Sequence, residues 1–181
     1  MATNWFTSDH HFNHEKIIEY CNRPFKSAEH MDREMIRRWN ERVKPGDTVY
    51  HLGDFCFRKG VPVEGMGHGE VYKARGYRYY ADQLNGKIIL FLGNHDSRNE
   101  VDSILVEGVI HYGGIDWYLA HEPHNTFKYN LCGHVHNNWK VRREGPYVNV
   151  NCSVDVWNFY PVAIAEILQA IQEDNKSWSG P

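Results

Sequence analysis

The sequence predicts an α/β fold, a four-layer sandwich of two mixed β-sheets flanked by helices. The first half of the 181-residue chain combines helix patterns with short, nearly continuous apolar runs, which are typical of strands buried on both faces. The second half contains short strand-like runs separated by Gly, Pro and Asn, followed by one more helix pattern. Helices with buried strands, then β-rich chain, then a helix indicate two sheets packed face to face with helices outside.

The first half contains three expected strands and two expected helices. The strands cover residues 4–8, 47–52 and 87–92. One helix is expected from about Asn13. The clearest helix covers residues 28–43, where apolar side chains recur every three or four positions until Pro45 and Gly46 stop the pattern. This helix is expected to cover one face of a sheet.

The stretch between the second and third strands has an unusual composition. Glycines at 60, 65, 67 and 69 predict an exposed loop, and the second half of residues 72–84 has helical character. Residues 72–80 interleave basic and aromatic side chains, which suits the stacking of nucleic-acid bases. A helix whose aromatic side chains pack inward explains the same composition, and we favour this packing interpretation.

The second half is mostly β-structure and ends in a helix. Strands are expected over residues 109–112, 116–120, 129–132 and 147–150. The final helix is indicated by Pro161 near its first turn and by Ile164, Ile167, Leu168 and Ile171 on one face. The chain is expected to be one domain, residues 1–181, with a frayed tail from about residue 175.

Composition restricts the classes of partner and compartment. Twenty basic and 23 acidic residues give a net charge of -3, so general attraction to nucleic acid or to an anionic membrane is not expected. No apolar run approaches the ~18 residues of a membrane span, and the N-terminus lacks the pattern of a secretory signal. The four cysteines are widely spaced and form no CxxC pair, which favours a reducing cytoplasm.

Residue types that bind metals follow several of the apolar runs directly. They occur as Asp9-His10-His11, Gly53-Asp54, Gly93-Asn94-His95-Asp96, His121 and Gly133-His134-Val135-His136. Sites in open α/β sheets form in the crevice beyond the carboxyl ends of the strands, where such side chains can converge.

The spacing within two of these segments supports convergence. Residues i and i+2 of an extended segment point to the same side, so Asp9 with His11, and His134 with His136, are expected to form two same-side pairs. A glycine precedes Asp54, Asn94 and His134, which suits a tight turn that brings backbone close to a bound group. The ordered set of segments predicts a dinuclear metal site.

The order of these motifs resembles that of the calcineurin-like metallophosphoesterases. The resemblance consists of D-x-H at Asp9 and His11, GD at Asp54, GNHD at residues 93–96, His121, and GHxH at residues 133–136. The stretches WFTSDHHFNHEKI and VNVNCSVDVWNFYPV are similar to small stand-alone members of the family from bacteria and their phages.

This resemblance implies the metallophosphoesterase fold and a pair of metal ions. The first ion would be held by Asp9, His11, Asp54 and His136, and the second by Asp54, Asn94, His121 and His134. The family chemistry is hydrolysis of a phosphate ester by a metal-bridging hydroxide. His95 would assist the leaving group, and Asp96 would orient His95. Phe57 stands where larger phosphatase relatives carry an Asp, so an orienting carboxylate for His95 must come from elsewhere.

The implied ligands define the charge of the site and the metals that it suits. With two divalent ions and a hydroxide, the site would carry a net charge of about +1, which attracts a phosphate ester although the whole chain is acidic. Oxygen and nitrogen ligands without thiolate suit Mn, Fe, Zn or Ni better than Mg alone. We expect Mn(II) first, on grounds of availability.

Three residues are candidates for binding the substrate. His14 lies close to the first ligand pair and could contact a phosphate oxygen; the alternative is a solvated residue at a helix start. Arg23, in the NRPF turn, could bind an oxyanion with two hydrogen bonds, and a surface ion pair is an equal alternative. Arg58 follows the GDFCF segment.

The leading hypothesis is a metal-dependent phosphoesterase that acts on a small phosphate ester, including a nucleotide, with phosphodiesters favoured because of the family resemblance. A nuclease acting on DNA or RNA and a phosphomonoesterase are variants of it. A non-catalytic protein-binding scaffold is the alternative from a different class. A purely structural metal site usually uses cysteine, and no cysteine here occupies a ligand position. The sequence leaves the oligomeric state and the physiological substrate open.

Overall fold

Two five-stranded mixed sheets form the centre of the structure. The computed structural model describes residues 2–57, 59–61, 73–96 and 104–177. Across the first sheet the order is β12 (Val162–Ala163), β1 (Asn4–Thr7), β2 (Thr48–His51), β5 (Lys87–Phe91) and β6 (Ile104–Leu105). Across the second sheet it is β10 (Val141–Glu144), β11 (Tyr147–Asn151), β9 (Tyr129–Cys132), β8 (Ile115–Ala120) and β7 (Glu107–Tyr112).

Most of the pairings inside the two sheets are parallel. In the first sheet β1, β2, β5 and β6 pair in parallel, and only β12 is antiparallel. In the second sheet the central strands β11, β9 and β8 pair in parallel, and the two edge strands are antiparallel. The carboxyl ends of the parallel strands in each sheet therefore lie at a common edge.

Helices and a small hairpin accompany the sheets. The described α-helices are α1 (Glu15–Tyr20), α2 (Ala28–Arg42), α3 (Tyr77–Ala81) and α4 (Ile164–Ser177), and a short 3-10 helix covers Val154–Val156. The hairpin pairs β3 (Lys59–Val61) with β4 (Lys73–Arg75). Ser27 caps α2, because its side chain accepts the amide hydrogen of His30. Among the described residues, no helix has both the length and the apolar character needed to cross a membrane.

Two apolar cores hold these layers together. One core joins α1, α2 and α3 to the first sheet, with Met31, Met35 and Trp39 of α2 fully buried against strand residues such as Val49 and Leu90. The other core lies between the sheets and contains Phe6, Leu52, Phe91, Trp117, Leu119 and Leu131. The apolar residues Ile164, Ile167 and Ile171 of α4 join this second core. The fold class expected from the sequence is confirmed.

Several boundaries differ from the sequence expectations. The helix expected from Asn13 begins at Glu15, because His14 is its N-cap and accepts the amide hydrogen of Ile17. Strands β3 and β4 flank the segment that was expected to be an exposed loop, and they pair with each other as a hairpin. Residues 62–72, between these strands, lie outside the described residues. The last helix extends to Ser177, and residues 178–181 of the tail that was expected to fray lie outside the described residues.

Candidate metal centre

Six loops that carry polar side chains follow parallel strands. The first sheet contributes the loops after β1, β2 and β5, and the second contributes those after β8, β9 and β11. Backbone hydrogen bonds join neighbouring loops, since Asp9 N donates to Gly53 O at 3.0 Å and Gly133 N donates to His121 O at 2.8 Å. The amide of His134 donates to Oδ1 of Asp9 at 3.0 Å and so joins the loops of the two sheets. The sequence segments that the two sheets carry therefore meet in one place.

The first group of potential ligands consists of Asp9, His11 and His136. Their ligand atoms lie within 4.8 Å of one another, and the rings of His11 and His136 stack with centroids 5.2 Å apart. His11 is 2% exposed, and neither ring nitrogen has a hydrogen-bond partner among the described residues. Burial lowers the pKa of His11 far below its usual value. Burial therefore favours the neutral imidazole, which is the form whose lone pair can bind a metal ion.

The second group contains Asp9, Asp54 and His121, whose ligand atoms also lie within 4.8 Å of one another. The Nδ1 atom of His121 lies 2.8 Å from Leu52 O, so this nitrogen carries the proton and Nε2 is directed at the site. The amide oxygen of Asn94 lies 2.9 Å from Nε2 of His121 and 3.1 Å from Nδ1 of His134. Asn94 and His134 therefore extend this group.

Asp54 lies between the two groups. Its Oδ2 atom is 3.4 Å from Nε2 of His11 and 3.5 Å from Nε2 of His121. Its Oδ1 atom accepts the backbone amide of His95 at 2.8 Å. Burial raises the pKa of Asp54, because a carboxylate that is 2% exposed is poorly solvated. A cation next to Oδ2 would stabilise the ionised form.

The backbone of the ligand loops adopts an uncommon conformation. The φ angles of Asp9, His11, Asp54, His134 and His136 are all positive, between 48° and 68°. Positive φ is rare for residues other than glycine, and such strain concentrates at functional sites. The expectation that the two HxH-like pairs are extended is therefore wrong. The left-handed backbone conformation of these five residues instead directs their side chains into the site.

Glycine is required at three positions by the close approach of neighbouring ligands. A Cβ atom at Gly53 would lie 2.6 Å from Nδ1 of His121, and one at Gly133 would lie 2.7 Å from Oδ2 of Asp9. A Cβ atom at Gly93 would collide with the carboxylate and the amide nitrogen of Asp54. The glycines allow the ligand loops to pack directly on one another.

The residues present fit divalent metal ions. They supply carboxylate, amide and imidazole donors without thiolate, a set that suits Mn, Fe, Zn or Ni. The side chains of Asp9 and Asp54 are buried, and a buried carboxylate is costly unless positive charge compensates it. A bound cation would also explain why the buried ring nitrogens of His11 have no hydrogen-bond partner among the described residues. The structure thus contains candidate metal-binding groups built from residues that the sequence predicted.

A third cluster, formed by Cys21, His136 and Asp155, does not have the properties of a metal site. Its ligand atoms lie within 4.8 Å of one another. However, Arg23 bonds to both oxygens of Asp155, at 2.8 Å and 2.9 Å, and this guanidinium already neutralises the carboxylate. The cluster is instead a support for His136.

Asp155 is a residue of the site that the sequence analysis missed. Its Oδ2 atom accepts a hydrogen bond from Nδ1 of His136 at 3.0 Å. Burial lowers the pKa of His136, but the hydrogen bonds to Asp155 and Cys21 and the charge of Asp9 together outweigh burial and raise that pKa to about 10. Burial raises the pKa of Asp155, but the same hydrogen bond from His136 and the charge and hydrogen bonds of Arg23 outweigh burial and lower that pKa. A histidine that binds a metal usually donates the N–H of its other ring nitrogen to such a carboxylate. The acidic residue in the VNVNCSVDV stretch was therefore the sequence signal that could have identified Asp155.

The two candidate catalytic residues have different surroundings. His95 is exposed, and its ring centroid lies 5.3 Å from that of His11. The carboxylate of Asp96 accepts the backbone amides of Asp54, Phe55 and Gly93 at 2.7, 2.9 and 3.0 Å. Asp96 therefore holds the loops that carry Asp54 and Asn94 together.

The candidate substrate-binding residues are dispersed. The ring of His14 lies 5.7 Å from that of His11 and 4.5 Å from that of Phe57. The side chain of Arg23 is 0% exposed and bonds to protein oxygens, whereas Arg58 lies outside the described residues. His10 points away from the site into the core, where its Nδ1 lies 2.9 Å from Nε2 of His51. Among the candidates that the structure describes, His14 is the one whose side chain lies beside the ring of a potential ligand.

Comparison with known proteins places this chain next to an uncharacterised one. No family model matches the sequence. The uncharacterised protein MJ1445 of Methanocaldococcus jannaschii is 35% identical over 181 aligned residues, which cover 96% of this chain and 93% of that protein. The similarity therefore extends over nearly the whole of both chains.

A solved structure of unknown function shares the fold. The protein of unknown function AQ665 from Aquifex aeolicus aligns with 94% of this chain and 100% of its own, with a TM-score of 0.65 and 24% identity. A structure described as a novel archaeal phosphodiesterase aligns with 82% of each chain, with a TM-score of 0.43 and 16% identity.

Proposed function

This chain belongs to the same family as the uncharacterised protein MJ1445, and we propose that it is a calcineurin-like metallophosphoesterase that hydrolyses phosphate esters, with phosphodiesters as the favoured substrates. The observation that carries this proposal is the position of Asp54. One of its oxygens lies 3.4 Å from His11 and 3.5 Å from His121, two buried histidines that belong to different ligand groups. That arrangement suits a carboxylate that bridges two cations.

The proposed dinuclear centre uses all seven ligands. One ion would be held by Asp9, His11, Asp54 and His136, and the other by Asp54, Asn94, His121 and His134. Mn(II) is the proposed metal. When bound, such a pair supplies Lewis-acid polarisation of the phosphoryl oxygens and activates water at neutral pH.

His95 is the proposed proton donor to the leaving-group oxygen. Its side chain is exposed beside His11, while its backbone amide is anchored to Oδ1 of Asp54 at 2.8 Å. This anchor keeps the imidazole at the edge of the metal centre while the ring remains accessible to a substrate. Proton transfer by a positioned side chain contributes about 10²–10⁴-fold in rate.

Substrate contacts are proposed for His14 and Arg58. His14 is held by its capping bond to the amide of Ile17 at 3.1 Å, so the ring faces the site in a fixed orientation. Arg23 is not part of this proposal, because its guanidinium is buried and fully engaged with protein acceptors. Asp96 is proposed to act through the loop of Asp54 and not by touching the substrate.

Reconstitution with metal tests the proposed activity. The metal-free protein is loaded with Mn(II) and assayed on a bis-aryl phosphate, a mono-aryl phosphate, cyclic nucleotides, and single-stranded DNA and RNA. We expect the bis-aryl phosphate to be hydrolysed best. Asp54→Asn should lose activity together with metal, whereas His95→Ala should keep both ions and lose about 10²–10⁴-fold in kcat.

A matched control separates these effects from general damage. His111→Ala removes a histidine that is 69% exposed on β7 and should leave activity unchanged. Two bound ions with full turnover in His95→Ala would contradict the role of His95. Hydrolysis of none of these substrates by a protein that binds two ions would favour a protein-binding scaffold instead.

A further inference from the structure

The guanidinium of Arg23 is buried beneath the first group of ligands. Its Nη2 donates to the carbonyl oxygen of Asp9 at 2.7 Å, and its Nη1 donates to that of His10 at 2.9 Å. The loop that carries Asp9 and His11 is thereby held from below by one side chain. Since both residues have positive φ, this loop needs such support to keep its shape.

The same guanidinium also holds Asp155. Nε and Nη2 of Arg23 donate to the two carboxylate oxygens of Asp155, whose side chain is 2% exposed. The Oδ2 atom of Asp155 accepts Nδ1–H of His136 at 3.0 Å and the hydroxyl of Ser153 at 3.1 Å. A continuous set of hydrogen bonds therefore runs from the Asp9 loop through Arg23 and Asp155 to His136.

We propose that Arg23 and Asp155 are positioning residues that assemble the half-site of Asp9, His11 and His136. Arg23 orients the loop of Asp9 and His11, and Asp155 fixes the ring of His136 so that Nε2 faces the same point. This inference rests on the proposed dinuclear centre. It adds that the two halves of that centre are supported by different residues.

The other half of the centre has its own supports. His121 is oriented by Leu52 O, and the loop of Asp54 is held by Asp96. Within the described part of the chain, neither Arg23 nor Asp155 bonds directly to His121, Asn94 or His134. Arg23 bonds to the backbone carbonyl of Asp9, and the side chain of Asp9 is the link to the other half, because it accepts the amide of His134 at 3.0 Å. Loss of Arg23 or Asp155 should therefore weaken one metal site selectively.

Manganese binding to two variants tests this selectivity. Asp155→Asn keeps the size of the side chain but removes the charge that orients His136. Mn(II) bound by equilibrium dialysis and the electron paramagnetic resonance spectrum are compared with those of wild type. We expect wild type to bind two ions with an exchange-coupled spectrum. Asp155→Asn should bind one ion with unchanged affinity, bind the other 10–100-fold more weakly, and give the spectrum of isolated Mn(II).

Control variants separate positioning from a general loss of structure. Asp174→Asn breaks another partly buried ion pair, with Arg143 at 2.8 Å, and should bind both ions as wild type does. In a His136→Ala background, Asp155→Asn should cause no further loss of Mn(II) affinity. If Asp155→Asn does not fold, Arg23→Lys keeps the charge but not the two-oxygen contact, and the same selective loss is expected.

Each outcome has a defined meaning. Wild-type affinity for both ions in Asp155→Asn, or in Arg23→Lys where that variant replaces it, overturns the positioning role. Equal weakening of both ions overturns the selectivity on which the role depends. Failure of the wild-type protein to bind Mn(II) at all would instead refute the proposed function.

Discussion

The Nε2 atom of His11 lies 3.4 Å from a carboxylate oxygen of Asp54, inside the protein and without a hydrogen bond between them. Burial disfavours both the charged imidazole and the charged carboxylate. An unsatisfied buried polar group costs about 1–3 kcal/mol, so the fold retains an unfavourable arrangement here. A cation shared by the two residues, as proposed, would remove the cost for both at once.

Metal removal should destabilise the protein as well as inactivate it. Metal binding adds stability in proportion to the logarithm of the metal concentration, about 2.7 kcal/mol per site at 100 times the Kd. For a chain of this size, that corresponds to roughly 5–10 °C in Tm. Thermal unfolding before and after chelation, and again after Mn(II) is restored, measures this shift. An unchanged Tm in all three samples would contradict a metal that binds these buried ligands.

Gly93→Ala should disrupt the centre without touching a ligand side chain. Its Cβ would collide with the carboxylate and the amide nitrogen of Asp54, so the loop of Asp54 must move. Overpacking of this kind costs about 1–3 kcal/mol, and metal affinity should fall with it. Gly46→Ala is the control, because a Cβ there meets nothing within 4 Å. Urea unfolding and metal content should differ between the two variants, and equal values would show that Gly93 is not constrained.

His121→Ala should reduce the number of bound metal ions from two to one. His121 is a ligand of only the second proposed ion, whereas the first keeps Asp9, His11 and His136. The control is again His111→Ala, whose ring is 69% exposed. Metal content measured on dialysed protein distinguishes the two variants. Retention of two ions by His121→Ala would place the second site elsewhere.

Trp39→Ala should weaken the fold more than any change at the surface. Trp39 is fully buried between α2 and the first sheet, and its indole N–H donates to Asn85 O at 2.9 Å. Removing a buried Trp side chain typically costs about 3–5 kcal/mol. Tyr20→Ala removes an aromatic side chain that is 69% exposed and should change the free energy of unfolding by less than about 0.5 kcal/mol. Similar values in urea unfolding would be inconsistent with the two-core packing.

The sequence predicted the elements whose patterns arise from burial. Residues 28–43 have helical periodicity because one face is buried, and the structure has α2 over Ala28–Arg42. The apolar runs at 47–52 and 87–92 correspond to β2 and β5 in the centre of the first sheet. In contrast β12 has two residues, and β10 is an edge strand with the polar sequence VRRE, so neither has a pattern that distinguishes it from loop.

The candidate site residues in the sequence motifs lie close together in the structure. The residues that hold them in place, however, could not be predicted from motifs. Asp155 lies 19 residues beyond His136 and reaches it only because β11 and β9 are parallel neighbours. His10 is adjacent to two proposed ligands and yet faces the core, because the backbone of this loop turns at Asp9 and His11. Such contacts depend on tertiary packing and have no periodic signal along the chain.

The most direct measurement is an anomalous-difference map from crystals soaked in Mn(II). Two peaks are predicted about 3.5–4 Å apart, the separation typical of two-metal hydrolases. One peak should lie among Asp9, His11 and His136, the other among Asn94, His121 and His134, with Asp54 between them. A cleft without anomalous density, with these side chains turned away from one another, would contradict the proposed centre.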